Sequence, residues 1–157
     1  TLFRSGINPN LTPAISAQYK FKIYVSALTH LNFNHFNRIS THDMRLLRRV
    51  VRDARYRNYP ADQTIKLWKN VVDGEKKYII KYQGNADVMF NSALVYETSV
   101  LKNEAMKFLK AIRPENETFP IANRLVNILS YYLPVYQKEI PPTSIIREFI
   151  GGSSFKF

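Results

Sequence analysis

The sequence predicts an α/β fold, and three stretches predict it. Residues 19–27 alternate apolar and polar side chains with the period of a strand. Residues 43–57 repeat their apolar side chains with the period of a helix. Residues 86–90 form a second strand-like run, and two long helical segments follow it. At 157 residues and 45% hydrophobic, the chain is long enough to bury one core. Its ten Phe and ten Tyr, against five Gly, argue against disorder.

In the first strand Phe21, Ile23 and Val25 alternate with Lys20, Lys22 and Tyr24. Residues 28–40, LTHLNFNHFNRIS, are polar and Asn-rich and read as a loop. Ser40 and Asp43 then stand near the spacing of a capping box, and the helical period runs to about Arg57. Asn58 and Pro60 supply the stop, and Pro60 also suits the start of a second helix with Ile65, Trp68 and Val72 on one face. Residues 74–93 read as a loop, a short β-like segment, a turn at Gly84-Asn85 and the second strand. Helices are expected at about 94–112 and 117–133, punctuated by Pro114 and Pro134. A short tail helix should end at Gly151-Gly152. There is no internal repeat and no linker, so residues 6–157 are expected to form part of a single domain.

Charge narrows the partners. The net charge of +11 favours nucleic acid, membrane surfaces or phosphorylated small molecules. No acidic residue precedes Asp43, and seven of the eleven arginines lie between Arg38 and Arg57. No apolar run reaches the roughly 18 residues of a membrane span, and no signal-peptide pattern opens the sequence, so no membrane partner is expected. With no cysteine there is neither a disulfide nor thiolate chemistry, which fits a reducing, cytoplasmic setting.

The arginine-rich helix carries the strongest functional signal. Arg45, Arg48, Arg49 and Arg52 stand at i, i+3, i+4 and i+7 and fall within an arc of roughly 100°. Met44, Leu46, Leu47, Val50, Val51 and Ala54 take the other side. The expectation is a docked apolar face and an unbroken guanidinium stripe turned outward, with Asp53 alone at its margin. A solvated face ordinarily mixes signs, because like charges at i,i+4 repel by a few tenths of a kcal/mol. Stacked arginines become favourable when a multivalent anion arrives, and guanidinium forks match phosphate oxygens bidentately.

Residues 37–57, NRISTHDMRLLRRVVRDARYR, resemble the lid segment of the uridine kinase branch of the phosphoribulokinase/uridine kinase family. That pattern is roughly D-x-R-L-x-R-R-x-x-R-D-x-x-x-R-G. Asp43, Arg45, Leu46, Arg48, Arg49, Arg52, Asp53 and Arg57 match it, and Asn58 stands in place of the Gly. Residues 86–94, ADVMFNSAL, resemble the strand and turn after that lid, and residues 144–155, SIIREFIGGSSF, resemble the tail of a bacterial nucleoside-kinase subgroup. The likeness runs from about Asn8 to the end. It implies the C-terminal part of a P-loop kinase, a parallel sheet with a lid helix (about residues 38–60) and C-terminal helices. The implied reaction moves the γ-phosphoryl of ATP to the 5′-hydroxyl of uridine or cytidine, with Mg2+, so the implied partners are nucleosides and nucleotides. By this resemblance Arg49, Arg52 and Arg57 hold the transferring phosphoryl, with Arg49 and Arg57 also toward the substrate. Arg45 and Arg48 lie toward ATP. Asn91 and Ser92 sit near the adenine, for which a plain strand-terminating turn is the alternative.

One departure is large. No G-x-x-x-x-G-K-[ST] occurs, the glycines being Gly6, Gly74, Gly84, Gly151 and Gly152, so the phosphate cradle and the Mg2+ ligands are absent from this sequence. The expectation is a C-terminal portion of a longer kinase, with Thr1–Ser5 a foreign junction and no phosphoryl transfer by the chain alone. Missing neighbouring strands would leave an apolar sheet edge, which favours self-association. His30, His35 and His42, without cysteine, do not make a metal site. Asp43 and Asp53 read as a cap and an arginine partner, Arg147-Glu148 as a local ion pair, and Trp68, Tyr131 and Tyr132 as packing residues. The competing class is a stand-alone basic module for nucleic acid or another polyanion. The arginine helix is poorly suited to reading DNA, because it offers almost no polar base-reading side chains.

Overall fold

The computed structural model describes residues 13–28, 32 and 38–155. The expectations for Thr1–Ser5, His30 and His35 lie outside the described residues. The chain divides into two compact units. One takes the described residues up to Ser26 together with Lys69–Ser92, and the other takes those from Ala27 to Trp68 and from Ala93 onward.

The first unit contains a two-stranded parallel sheet, β1 (Ile23–Ser26) and β2 (Val88–Asn91). Ile23 faces Val88, Tyr24 faces Met89, Val25 faces Phe90 and Ser26 faces Asn91. The pairing is prolonged at both ends, where the Asp87 amide donates to the Lys22 carbonyl at 2.9 Å and the Ser92 amide to the Ser26 carbonyl at 2.8 Å. Asp87 also closes back, its carboxylate accepting the Lys22 amide at 2.6 Å. Parallel sheets are normally covered on both faces. Here Phe21, Ile23, Val25, Val88, Met89 and Phe90 are each at least 43% exposed.

Between the strands runs α3 (Trp68–Tyr78), followed by a 3-10 segment over Ile80–Asn85. This corrects the expected loop and β-like segment. Val71, Val72, Glu75 and Ile79 recur at helical spacing and are each partly or fully shielded, so the 3.6-residue period wins over the local Tyr-Ile-Ile run. An i,i+4 pair at the start of the helix, Lys69 Nζ to Asp73 Oδ2 at 2.8 Å, supports the same outcome. The Ile79 amide donates to the Glu75 carbonyl at 2.8 Å and carries the helical bonding past Tyr78.

The second unit is helical. It comprises α1 (Thr41–Tyr56), α2 (Ala61–Lys66), α4 (Glu97–Lys110), α5 (Phe119–Ser130) and α6 (Arg147–Ile150). α1 packs against α2, α4 and α6, and α4 packs against α5. Leu46, Leu47, Val50 and Val51 of α1 meet Leu101, Ala105 and Leu109 of α4 and Leu125 and Leu129 of α5 in one buried cluster. Each fully buried leucine contributes about 1.5–3 kcal/mol relative to exposure. Ile146, Phe149 and Ile150 bring the tail into the same cluster.

Ends and starts follow local chemistry. α1 begins at Ser40, whose Oγ accepts the Asp43 amide at 3.0 Å, and it stops where Asn58 takes φ +50°. That left-handed position is where the resembled pattern carries Gly, and Asn is the side chain that tolerates it next best. A turn at Leu67 separates α2 from α3, so Ile65 and Val72 do not share one helix as expected. α4 begins at Glu97, later than the period suggests, and α5 begins at Phe119 with Pro120 in its first turn. α6 ends at Gly151 (φ +83°) and Gly152 (φ +71°), as the Gly-Gly pair predicts. Tyr131, a packing residue by its spacing in the sequence, is 70% exposed, because α5 ends at Ser130 and the turn carries it off the core face. Trp68 and Tyr132 do pack against the cluster.

Candidate functional site

The site is the polar flank of α1, and the structure places its arginines differently from a solvated stripe. Arg48 is turned inward. Its Nε donates to Glu97 Oε1 and its Nη2 to Glu97 Oε2, the latter at 2.6 Å, while Glu97 is 1% exposed. The Leu94 amide donates to Glu97 Oε2 at 3.3 Å, and the Phe149 ring lies 5.3 Å from the Arg48 guanidinium carbon. Arg45 stacks over Trp68 at 5.9 Å from the ring centroid. Two of the expected ATP-facing arginines therefore brace the helical unit. A buried guanidinium needs a carboxylate and hydrogen bonds in the interior, and Glu97 supplies them.

The second correction concerns Asp53. Expected at the margin of the stripe, it is 3% exposed and sits at its centre. Arg49 Nε lies 3.2 Å from Oδ2, Arg52 Nε 3.5 Å from Oδ1 and Arg57 Nη1 3.1 Å from Oδ1. The Arg49 contact is an ion pair by distance but not a hydrogen bond by angle, so this buried N–H has no acceptor. One carboxylate thus serves three guanidiniums and satisfies them incompletely. Burial pulls the Arg52 pKa below the usual arginine range, neighbouring Arg57 adds to the effect, and Asp53 opposes it. Arg52 Nη1 also reaches to 4.0 Å from Glu148 Oε1 on the tail helix.

The rest of the flank is structural. Asp43 is buried and accepts from Arg124 Nη1 at 2.5 Å, which ties the first turn of α1 to α5. His42 is exposed. Among the described residues no group of three His, Asp or Glu is placed to hold a metal ion. Asn91 is the last residue of β2 and Ser92 follows it; both belong to the sheet unit, whereas the arginines belong to the helical unit. A cleft of about 840 Å³ opens beside the last turn of α1, between Ala54, Asn58, Phe108 and Asn116. None of Arg45, Arg48, Arg49, Arg52 or Arg57 lines it.

Two participants were not anticipated. Glu97 stands four residues before Leu101 and eight before Ala105, so an acid in an apolar stripe was the available signal for a buried partner. Arg147 donates to four main-chain carbonyls, those of Gln137 (2.8 Å), Ile140, Pro141 (3.3 Å) and Gly151 (3.1 Å), rather than to neighbouring Glu148. Nothing in the local sequence announces that clasp. Compared with known protein families, curated proteins and solved structures, the chain matches none.

Proposed function

We propose that this chain is the arginine-lid portion of an ATP-dependent phosphotransferase that acts on a nucleoside hydroxyl, with uridine or cytidine as the substrate class. One observation carries the reading: Arg49, Arg52 and Arg57 converge on the single carboxylate of Asp53 and leave a surplus of positive charge on a partly open flank. Phosphoryl transfer needs charge neutralisation and positioning more than covalent chemistry, and such a cluster supplies both. Asp53 fixes the three side chains in advance, so little rotamer entropy remains to be lost when phosphate oxygens arrive. The parallel pairing of β1 with β2 is the arrangement an α/β kinase sheet requires. The likeness in residues 43–57, 86–94 and 144–155 is what suggests a nucleoside as the substrate.

Arg45 and Arg48 are left out of the phosphate grip, since Trp68 and Glu97 occupy them. ATP would supply the phosphoryl group. The arginines fit its phosphates, but the described acids do not fit Mg2+, and no step is assigned to a metal. The phosphate-cradling loop has to come from outside this sequence. Isothermal titration of the chain with ATP and with tripolyphosphate at constant ionic strength tests the proposal. Saturable binding that Arg49→Ala/Arg52→Ala weakens by about tenfold or more is expected. Equal binding by the double variant would refute it. Binding to duplex DNA that falls steeply between about 50 and 200 mM salt, without preference for ATP, would instead support the polyanion module.

A further inference from the structure

The tail returns to the arginine helix at a glycine pair. Arg48, Arg52 and Arg55 stand at i, i+4 and i+7 on α1, and each faces the tail: Arg48 meets Phe149, Arg52 approaches Glu148, and Arg55 lies against Gly151. A Cβ on Gly151 would meet Arg55 Nη2 at 3.2 Å and the Tyr56 hydroxyl at 3.3 Å. The glycine thus lets the main chain and the guanidinium approach closely, in a conformation (φ +83°) that other residues rarely adopt. Arg55 is exposed and has no carboxylate partner among the described residues; the centroid of the Tyr56 ring lies 5.9 Å from its guanidinium carbon.

The turn itself has open donors. The Gly151 amide is taken by the Arg147 carbonyl, the Ser154 amide by the Pro142 carbonyl and the Phe155 amide by the Ser153 hydroxyl oxygen. Among the described residues nothing accepts the amides of Gly152 and Ser153. Behind them Arg147 is spent on carbonyls, and among the described residues no carboxylate compensates its charge. Consecutive open main-chain amides and nearby guanidiniums are the elements from which phosphate sites are built.

We infer that Arg55 and the 151–154 turn form a binding site for a phosphate dianion, separate from the Arg49–Arg52–Arg57 cluster on Asp53. It rests on the proposed function only for the source of that phosphate, a nucleotide's terminal group or inorganic phosphate. Glu148, 52% exposed at its side chain, is the local opposing charge and sets the affinity from the other direction.

The test is titration of the full chain with inorganic phosphate and, separately, with ATP, followed through the backbone amide signals of Gly152 and Ser153. Shifts at those amides with phosphate are expected. Arg55→Gln should weaken phosphate binding by about tenfold, the loss of one charge-assisted contact, and Glu148→Gln should strengthen it by about threefold. Arg49→Ala/Arg57→Ala, which leaves Arg52 and Glu148 untouched, should leave the Gly152 and Ser153 shifts in place. Arg55 also complements the negative end of α1, so melting temperatures are recorded with each variant. If Arg55→Gln lowers only the melting temperature and leaves phosphate affinity unchanged, the inference is overturned and the kinase reading stands. If phosphate shifts these amides while ATP binds nowhere, the kinase reading fails and the phosphate site stands.

Discussion

Replacing Glu97 by alanine would strand a charge in the interior, and the structure allows the cost to be worked out. Arg48, 13% exposed at its side chain, would lose both carboxylate bonds at once. Removing one partner of a buried pair costs about 3–5 kcal/mol, and the Leu94 amide would lose an acceptor worth about 1 kcal/mol. The expected destabilisation is therefore about 5 kcal/mol. For a chain of this size that lowers the melting temperature by about 10–20 °C. Circular dichroism during thermal and urea unfolding measures it. The companion variant, Arg48→Met/Glu97→Leu, removes both charges and keeps the volume, and it should recover most of the loss. A cost below about 1 kcal/mol for Glu97→Ala, or a double variant no more stable than the single, would show that the pair is not the brace described here.

Three further outcomes follow from other contacts. Asp53→Asn removes the counter-charge shared by Arg49, Arg52 and Arg57 and should cost about 3 kcal/mol in chloride; sulfate at equal ionic strength should restore more of it than chloride does, as read from urea midpoints. Gly151→Ala should cost about 1–2 kcal/mol because of its positive φ, whereas Gly74→Ala, helical with nothing within 4 Å of the new methyl group, should stabilise by about 0.5–1 kcal/mol in the same melts. The hydrogen bond from Lys69 and its charge hold the Asp73 carboxyl below its ordinary value near 3.8, and Asp73 in turn raises the Lys69 ammonium above 10.5. The pair's support for α3 is thus present between those two values. It fades as pH falls through the lowered Asp73 pKa and again as pH rises through the raised Lys69 pKa, which NMR titration of the two side chains will follow.

The elements with a strong period were legible in the sequence. Met44, Leu46, Leu47, Val50 and Val51 announced the docked face of α1, Ser40 announced its start, and Gly151-Gly152 announced the end of α6. Residues 78–82 misled because three adjacent apolar residues look β-like locally, while burial is decided by the longer helical register through Val72, Glu75 and Ile79. The site was legible as a concentration of arginines but not as a geometry. Helical spacing says which side chains share a flank; it does not say which carboxylate a fold brings to them from 49 residues away, as with Arg48 and Glu97. Nor does it show that Asp53, set among the arginines of α1, becomes the hub rather than the rim.

The open strand pair has an energetic consequence. Ile23, Val25, Val88, Met89 and Phe90 remain largely wet, so β1 and β2 gain little from desolvation and rest on main-chain hydrogen bonds worth about 1 kcal/mol apiece. Joining residues 65 positions apart also sets a loop-closure entropy against those few bonds. A lone two-stranded ribbon is marginal in water. A further apolar layer laid over this ribbon would add the desolvation that its few main-chain bonds lack.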